Sequence, residues 1–107
     1  MISIAAVRKL ALSFENVSEQ PHFDKISFRL RNKIFLTIDS LKNQAVVKLA
    51  PESQSLFVSF NSSLIYPANG NWGRMGYTVI ELKQVPKQLV EEIIRTGFQT
   101  VSSNKKS

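Results

Sequence analysis

The fold is decided by the stretch ISFRLRNKIFLTI, which spans residues 26–38. Large apolar side chains alternate there with other residues, and this period of two is typical of half-buried strands. The positions predicted to face the core are Ile26, Phe28, Leu30, Ile34, Leu36 and Ile38. Opposed residues of an antiparallel pair share a face, so a three-residue loop over residues 31–33 predicts three pairs: Leu30 with Ile34, Phe28 with Leu36, and Ile26 with Ile38. The pattern therefore predicts a hairpin with Asn32, which tolerates left-handed backbone, at its tip.

The same register predicts a basic outward surface on this hairpin. Arg29 lies on the face opposite Phe28, with Phe35 across from it, and Arg31 and Lys33 lie at or near the tip. The next strand, residues 44–50, turns Lys48 outward, and the loop that follows later in the chain carries Trp72 and Arg74. Cations beside aromatic rings suit phosphate contacts combined with base stacking. The candidate nucleic-acid-binding residues are Arg29, Arg31, Lys33, Lys48, Trp72 and Arg74.

The remaining elements follow from spacing and from helix or strand breakers. Helical spacing of apolar residues predicts a first helix over residues 2–14, a short helix over 51–60 that starts at Pro51, and a last helix that begins near Pro86 and ends at Gly97. Further strands are predicted over residues 64–68 and 77–82, with a glycine-rich loop between them. Residues 1–101 form one predicted domain, and residues 102–107 form a flexible, basic tail.

Composition narrows the classes of function. A chain of 107 residues with 43% hydrophobic content suits one domain with its own core. There is no cysteine, which excludes disulfides and thiolate metal sites and fits a cytoplasmic protein. No stretch is long and apolar enough to suggest a membrane span. The net charge of +6 favours anionic partners.

No group of residues predicts catalysis, a metal or a cofactor. The sole histidine, His22, has Asp24 two positions away, but no serine motif or further ligands accompany this pair. The glycine-rich loop lacks the Gly-Lys-Ser/Thr ending of a phosphate-binding loop and precedes a strand instead of a helix. We therefore expect a protein that is not an enzyme.

The order of the motifs resembles the MmcQ/YjbR family. The features that carry the resemblance are a first helix, a hairpin, the run VKLAPE at residues 47–52, Tyr66-Pro67-Ala68, Trp72 and a last helix. The resemblance implies a two-layer α+β fold, similar to the type III secretion chaperones. In this fold about three helices pack on one face of an antiparallel sheet of about five to six strands. It also implies DNA binding, because hairpins that project from such a sheet look like paired wings.

Two hypotheses of function remain open at this point. The first is a non-enzymatic domain that binds DNA or RNA backbone through its basic hairpin surface. The second is a protein-interaction or chaperone-like module, which can be dimeric. Surface lysines and arginines also protect strands against aggregation, and Trp72 can simply cover the core. A continuous positive patch favours the first hypothesis, and a large exposed apolar patch favours the second. The sequence leaves the oligomeric state open.

Overall fold

A computed structural model describes residues 2–103 and confirms the α+β architecture. The helices of this part of the chain are α1 Ile4–Ser13, α2 Pro51–Val58, α3 Asn71–Arg74 and α4 Lys87–Ser103. Its strands are β1 Val17–His22, β2 Lys25–Leu30, β3 Lys33–Asp39, β4 Gln44–Lys48, β5 Ile65–Pro67 and β6 Tyr77–Glu81. The described residues thus hold four helices, one more than the sequence predicts, because the glycine-rich loop contains the single turn α3.

The strands form one antiparallel sheet in the order β1-β2-β3-β4-β6-β5. The first four strands follow one another as hairpins, whereas the chain between β4 and β6 passes through α2, β5 and α3. Helix α4 packs across β2, β3 and β4, and α1 packs beside it and against β1. The core lies between these helices and the sheet, where Phe28, Leu36 and Ile93 are fully buried. The face of the sheet that is turned away from α1 and α4 is not covered by these two helices.

The hairpin of β2 and β3 differs from its predicted register. Its turn contains only Arg31 and Asn32, both with positive φ (52° and 68°), as a type I′ turn requires. Leu30 therefore pairs with Lys33, while Phe28 still pairs with Leu36, so β3 carries one extra residue in a β-bulge. The predicted pair of Leu30 with Ile34 is wrong, because the shorter turn shifts that end of the hairpin by one position.

The bulge turns Phe35 into the core. This ring is fully buried, whereas the period of two placed it on the outward face beside Arg29, so that prediction is wrong. Phe35 meets Phe14 and Phe98 edge-on, with centroid distances of 6.2 and 5.7 Å, and the latter two rings stack at 4.6 Å. Such aromatic contacts add to the stabilisation from burial. Ile34 takes the outward position, opposite Arg29.

Gly97 lies inside α4 and does not end it. A Cβ atom at this position would stand 2.3 Å from Val47 Cγ1, so the glycine allows the helix to lie close against β4. The predicted helix end is wrong because glycine serves here as a packing contact. The helix continues through Ser102 and Ser103, and the rest of the predicted tail, residues 104–107, lies outside the described residues.

None of the helices in residues 2–103 combines the length and the apolar character that crossing a membrane requires.

Candidate functional site

The sheet face turned away from α4 is called the open face here. Strand pairing places one row of side chains across it: Gln20, Ser27, Thr37, Val46, Val79 and Tyr66. Polar groups dominate this row on β1 and β2, and apolar or aromatic groups dominate it on β4, β6 and β5. The open face is therefore a mixed surface instead of a purely polar, solvated one.

A cleft of about 390 Å³ crosses the open face from the β1–β2 turn to α3. Its floor is formed by Ile34, Thr37, Val46 and Tyr77. At one end it is bounded by His22, Phe23 and Lys25, and at the other by Ala68, Asn69 and Trp72. An apolar floor with a few polar groups at its ends is the usual character of a binding site.

Phe23 is the most exposed large apolar side chain that borders the cleft. Its side chain is in contact with His22, at a ring distance of 5.0 Å, and 94% of the residue surface is exposed. Its φ of 61° lies in the left-handed region, which costs a residue with a Cβ atom about 1–2 kcal/mol. Glycine is the usual residue at the first position of a two-residue turn of this kind. The phenylalanine therefore contributes to neither the turn nor the core.

Trp72 bounds the other end of the cleft and is 61% exposed, so it does not serve mainly to cover the core. Its ring meets the Tyr77 ring edge-on at 5.1 Å. The Lys48 ammonium lies 5.2 Å from the centre of the Tyr77 ring and donates a hydrogen bond to the Met75 carbonyl oxygen. A tryptophan, a tyrosine and a lysine thus form one connected group on the open face.

Hydrogen bonds hold helix α3, which carries Trp72, and the segment that follows it. The Gln54 amide donates to the Gly73 carbonyl at 3.1 Å and to Thr78 Oγ1 at 3.1 Å. The Leu49 amide donates to the Gly76 carbonyl at 2.9 Å. Because these bonds tie α3 to α2 and the segment after α3 to the end of β4, the Trp72 end of the cleft is already organised without a ligand, which reduces the entropy lost on binding.

The basic residues predicted to act together are only partly brought together. Arg29 and Lys48 both lie on the open face, opposite Ile34 and Tyr77 respectively. Arg31 occupies the hairpin turn, whereas Lys33 shares the helix-side face with its partner Leu30. Arg74 is exposed on α3 and donates to Asn71 Oδ1 at 3.4 Å. Lys25, which the sequence did not single out, lines the cleft.

His22 and Asp24 do not converge on an enclosed pocket. His22 packs its ring against Phe23 at the edge of the cleft, and the nearest cation to Asp24 is Lys25 Nζ, at 3.7 Å. Within residues 2–103, no group of three or more His, Asp or Glu side chains is placed to hold a metal ion.

A polar group of three side chains lies beside the cleft on the open face, and we call it the Glu81 cluster. It consists of Gln44, Tyr66 and Glu81. The Tyr66 hydroxyl and the Gln44 amide both donate to Glu81 Oε2, the latter at 2.9 Å. The cluster joins β4, β6 and β5.

Both tyrosines on the open face have a pKa above the ordinary value for tyrosine. The hydrogen bond to Glu81 raises the pKa of Tyr66 above its ordinary value of 10.0, with burial and the nearby negative charge adding to the effect. Burial raises the pKa of Tyr77. Each tyrosine therefore favours the folded state in its neutral form. This contribution is complete below pH 10 and is lost as the pH rises further.

We expect tyrosinate absorbance to appear at higher pH in the folded protein than in the protein unfolded by urea. The chain contains two tyrosines, so Tyr66→Phe leaves the signal of Tyr77 alone and Tyr77→Phe that of Tyr66. The free energy of unfolding should fall above about pH 10, and less steeply in Tyr66→Phe. Equal midpoints in folded and unfolded protein would contradict the geometry of the Glu81 cluster.

Sequence reasoning did not assign several cleft-lining residues to a site, among them Phe23, Lys25, Ile34, Val46 and Tyr77. The sequence does contain one indication that Phe23 is unusual, because phenylalanine followed by aspartate is a rare choice for a tight turn. Ile34 was predicted to face the core, and the bulge places it on the open face instead. Val46 and Tyr77 lie on β4 and β6, which pair with each other across the crossover through α2, β5 and α3, so no local pattern places both of them near Trp72.

The comparisons with known proteins agree with this fold. The family model YjbR matches residues 12–100, and the chain therefore belongs to the YjbR family, as the motif order predicted. A crystal structure of the Deinococcus radiodurans protein DR2400, described as a DUF419 domain, superimposes with a TM-score of 0.84. The sequences are 18% identical over 99% of this chain and 81% of that chain, so the likeness concerns the fold alone. No match was found among curated proteins.

Proposed function

We propose that this protein binds single-stranded nucleic acid in the cleft of its open face, without catalysing a reaction. The observation that carries the proposal is the pair of exposed rings, Phe23 and Trp72, at opposite ends of one cleft. Unpaired bases stack on aromatic side chains whatever their sequence, because every base has a π-face. A duplex hides those faces, so the rings favour a single strand.

The cations around the cleft support the same partner. Lys25 lies at the Phe23 end, and Arg29 and Lys48 lie on the open face towards the Trp72 end. The chain as a whole carries a net charge of +6, which attracts a polyanion. Arg29 Nε donates to Ser27 Oγ at 3.0 Å, which orients its guanidinium over the sheet. Phosphates can therefore be neutralised at both ends while bases occupy the apolar floor.

The conformation of Phe23 adds an independent argument. A bulky residue held in left-handed backbone and exposed to solvent is costly to keep in a fold. Such strain is concentrated at ligand-binding sites, where the side chain is retained for its contact with a partner. A stacking base supplies that contact. We place this activity in the cytoplasm, since a chain without cysteine suits a reducing compartment.

We expect Phe23→Gly and Trp72→Ala each to weaken the binding of a short, labelled oligothymidine by about 1–3 kcal/mol, as measured by fluorescence anisotropy at low salt. Glycine suits the positive φ at residue 23, so Phe23→Gly should remain at least as stable as the parent protein. Phe60→Ala is the matched control, because Phe60 is 53% exposed but does not line the cleft. Absence of binding by the parent protein, or equal losses in the control, would overturn the proposal.

A salt titration separates phosphate contacts from general attraction. For a single strand, the slope of the logarithm of the binding constant against that of the salt concentration falls by about 0.7 for each lost phosphate contact. The double variant Lys25→Gln with Arg29→Gln should show this reduction. The control, Lys87→Gln with Arg95→Gln, removes the same charge from exposed positions on α4 and should change the slope less.

The apolar floor also supports a second candidate, a protein segment held in the same cleft. Ile34 and Val46 contribute to the floor, and Met75, 53% exposed, extends the apolar surface beside Trp72. A peptide that inserts an apolar side chain would bury the same groups. Its binding would be nearly independent of salt, whereas nucleic-acid binding weakens steeply as salt is added.

A further inference from the structure

One oxygen of Glu81 is available to a ligand on the open face. Its Oε2 accepts hydrogen bonds from the Tyr66 hydroxyl and from the Gln44 amide. A carboxylate oxygen has two lone pairs, so these donors fill Oε2. Within residues 2–103, no side chain donates to Oε1. The two donors fix the orientation of the carboxylate and leave Oε1 as an acceptor.

The position of this oxygen suits the base of a strand that occupies the cleft. Val46 of the cleft floor pairs with Val79, and the next pair on the same face is Gln44 with Glu81. Two residues along a strand correspond to about 7 Å. Glu81 therefore lies one such step beyond the cleft floor, and the Tyr66 ring, opposite Val79, offers a surface between them.

The charge of the carboxylate decides which part of a nucleotide it can contact. A negative group repels phosphate, so it requires a hydrogen-bond donor from a base. Guanine presents two adjacent donors, N1–H and the N2 amino group, on its Watson–Crick edge. Adenine, cytosine and thymine each place at least one acceptor beside their donor there. A fixed carboxylate therefore discriminates in favour of guanine.

We propose that Glu81 selects guanine among the bases that reach the open face, with Gln44 and Tyr66 as positioning residues. This inference rests on the proposed binding of single-stranded nucleic acid. Guanine N1–H and its amino group both donate to Oε1, whose two lone pairs are free, while Tyr66 and Gln44 keep their bonds to Oε2. Recognition by two such bonds is worth about tenfold or more in affinity against the wrong base.

The test compares oligothymidines that differ at one central position, with thymine, guanine, adenine or hypoxanthine there, in the anisotropy assay. We expect guanine to bind about tenfold more tightly than adenine or thymine. Hypoxanthine, which lacks the amino group, should lie between them. Glu81→Gln should remove the preference and leave all-thymine binding equal or tighter, since a negative charge is lost. Tyr66→Phe should reduce the preference while the affinity for all-thymine stays constant.

The control is Glu92→Gln, which removes the same charge from an exposed position on α4 and should preserve the preference. If all-thymine oligonucleotide does not bind, the proposed function and this inference both fail. If it binds but guanine gives no advantage, or if the advantage survives in Glu81→Gln, only the selection of guanine is overturned.

Discussion

Replacing Gly76 by alanine is expected to destabilise the protein by about 3 kcal/mol or more. The residue has a φ of 103°, which side chains rarely adopt, and a Cβ atom there would stand 1.8 Å from the Leu49 carbonyl oxygen. That neighbour is backbone, so it can move only if β4 and the segment before β6 separate. The separation would also break the hydrogen bond from the Leu49 amide to the Gly76 carbonyl.

Gly70→Ala is the matched control for this prediction. Gly70 also has a positive φ, 65°, but a Cβ atom there would meet nothing within 4 Å. With a ψ of −141° its backbone is one that residues with a Cβ atom rarely adopt, so its substitution should cost only this strain, about 1–3 kcal/mol. Urea denaturation followed by circular dichroism measures both losses. Equal losses in the two variants would show that close packing against Leu49 is unimportant.

Phe35→Ala is expected to cost about 3–5 kcal/mol, the usual loss when a buried phenylalanine is truncated. The ring is fully buried and contacts the Phe14 and Phe98 rings, so its removal leaves a cavity between β3, α4 and the end of α1. Ile34→Ala removes a side chain from the open face, where Ile34 is only partly buried, and should cost about 1 kcal/mol.

The comparison of these two variants tests the bulge directly. A strict period of two through β3 would turn Ile34 into the core and Phe35 outward. Under that register Ile34→Ala would cause the larger loss of stability. A greater loss in Phe35→Ala is what the observed register requires, and the reverse order would contradict it.

The sequence predicted the elements well wherever one face of each is buried. The periodicity of residues 26–38 gave both strands and two of the three pairs, and Pro51 marked the start of α2 correctly. The bulge was not predicted, because a two-residue turn and a three-residue turn both satisfy the local pattern around Asn32. With the two-residue turn, Phe35 packs against Phe14 and Phe98, which are distant in sequence and close in space, so no local pattern shows this contact.

The candidate site was less predictable than the fold. Arg29, Lys48 and Trp72 were identified from composition and alternation, and they do lie on or beside one face. Their organisation depends on the crossover from β4 through α2 and β5, which brings α3 next to Tyr77. Gly97 shows the same limit, since its contact with Val47 turns an apparent helix end into a close approach of helix and sheet.

The fluorescence of Trp72 is the most direct measure of binding in the cleft, because it is the single tryptophan of the chain. Titration with short oligothymidine at low salt should quench this fluorescence in a saturable way, since a base stacks on the exposed indole. The quenching should require higher concentrations in Phe23→Gly and should reverse when salt is added. Tryptophan emission that stays constant while the oligonucleotide binds, or an absence of binding at low salt, would contradict binding of a single strand in this cleft.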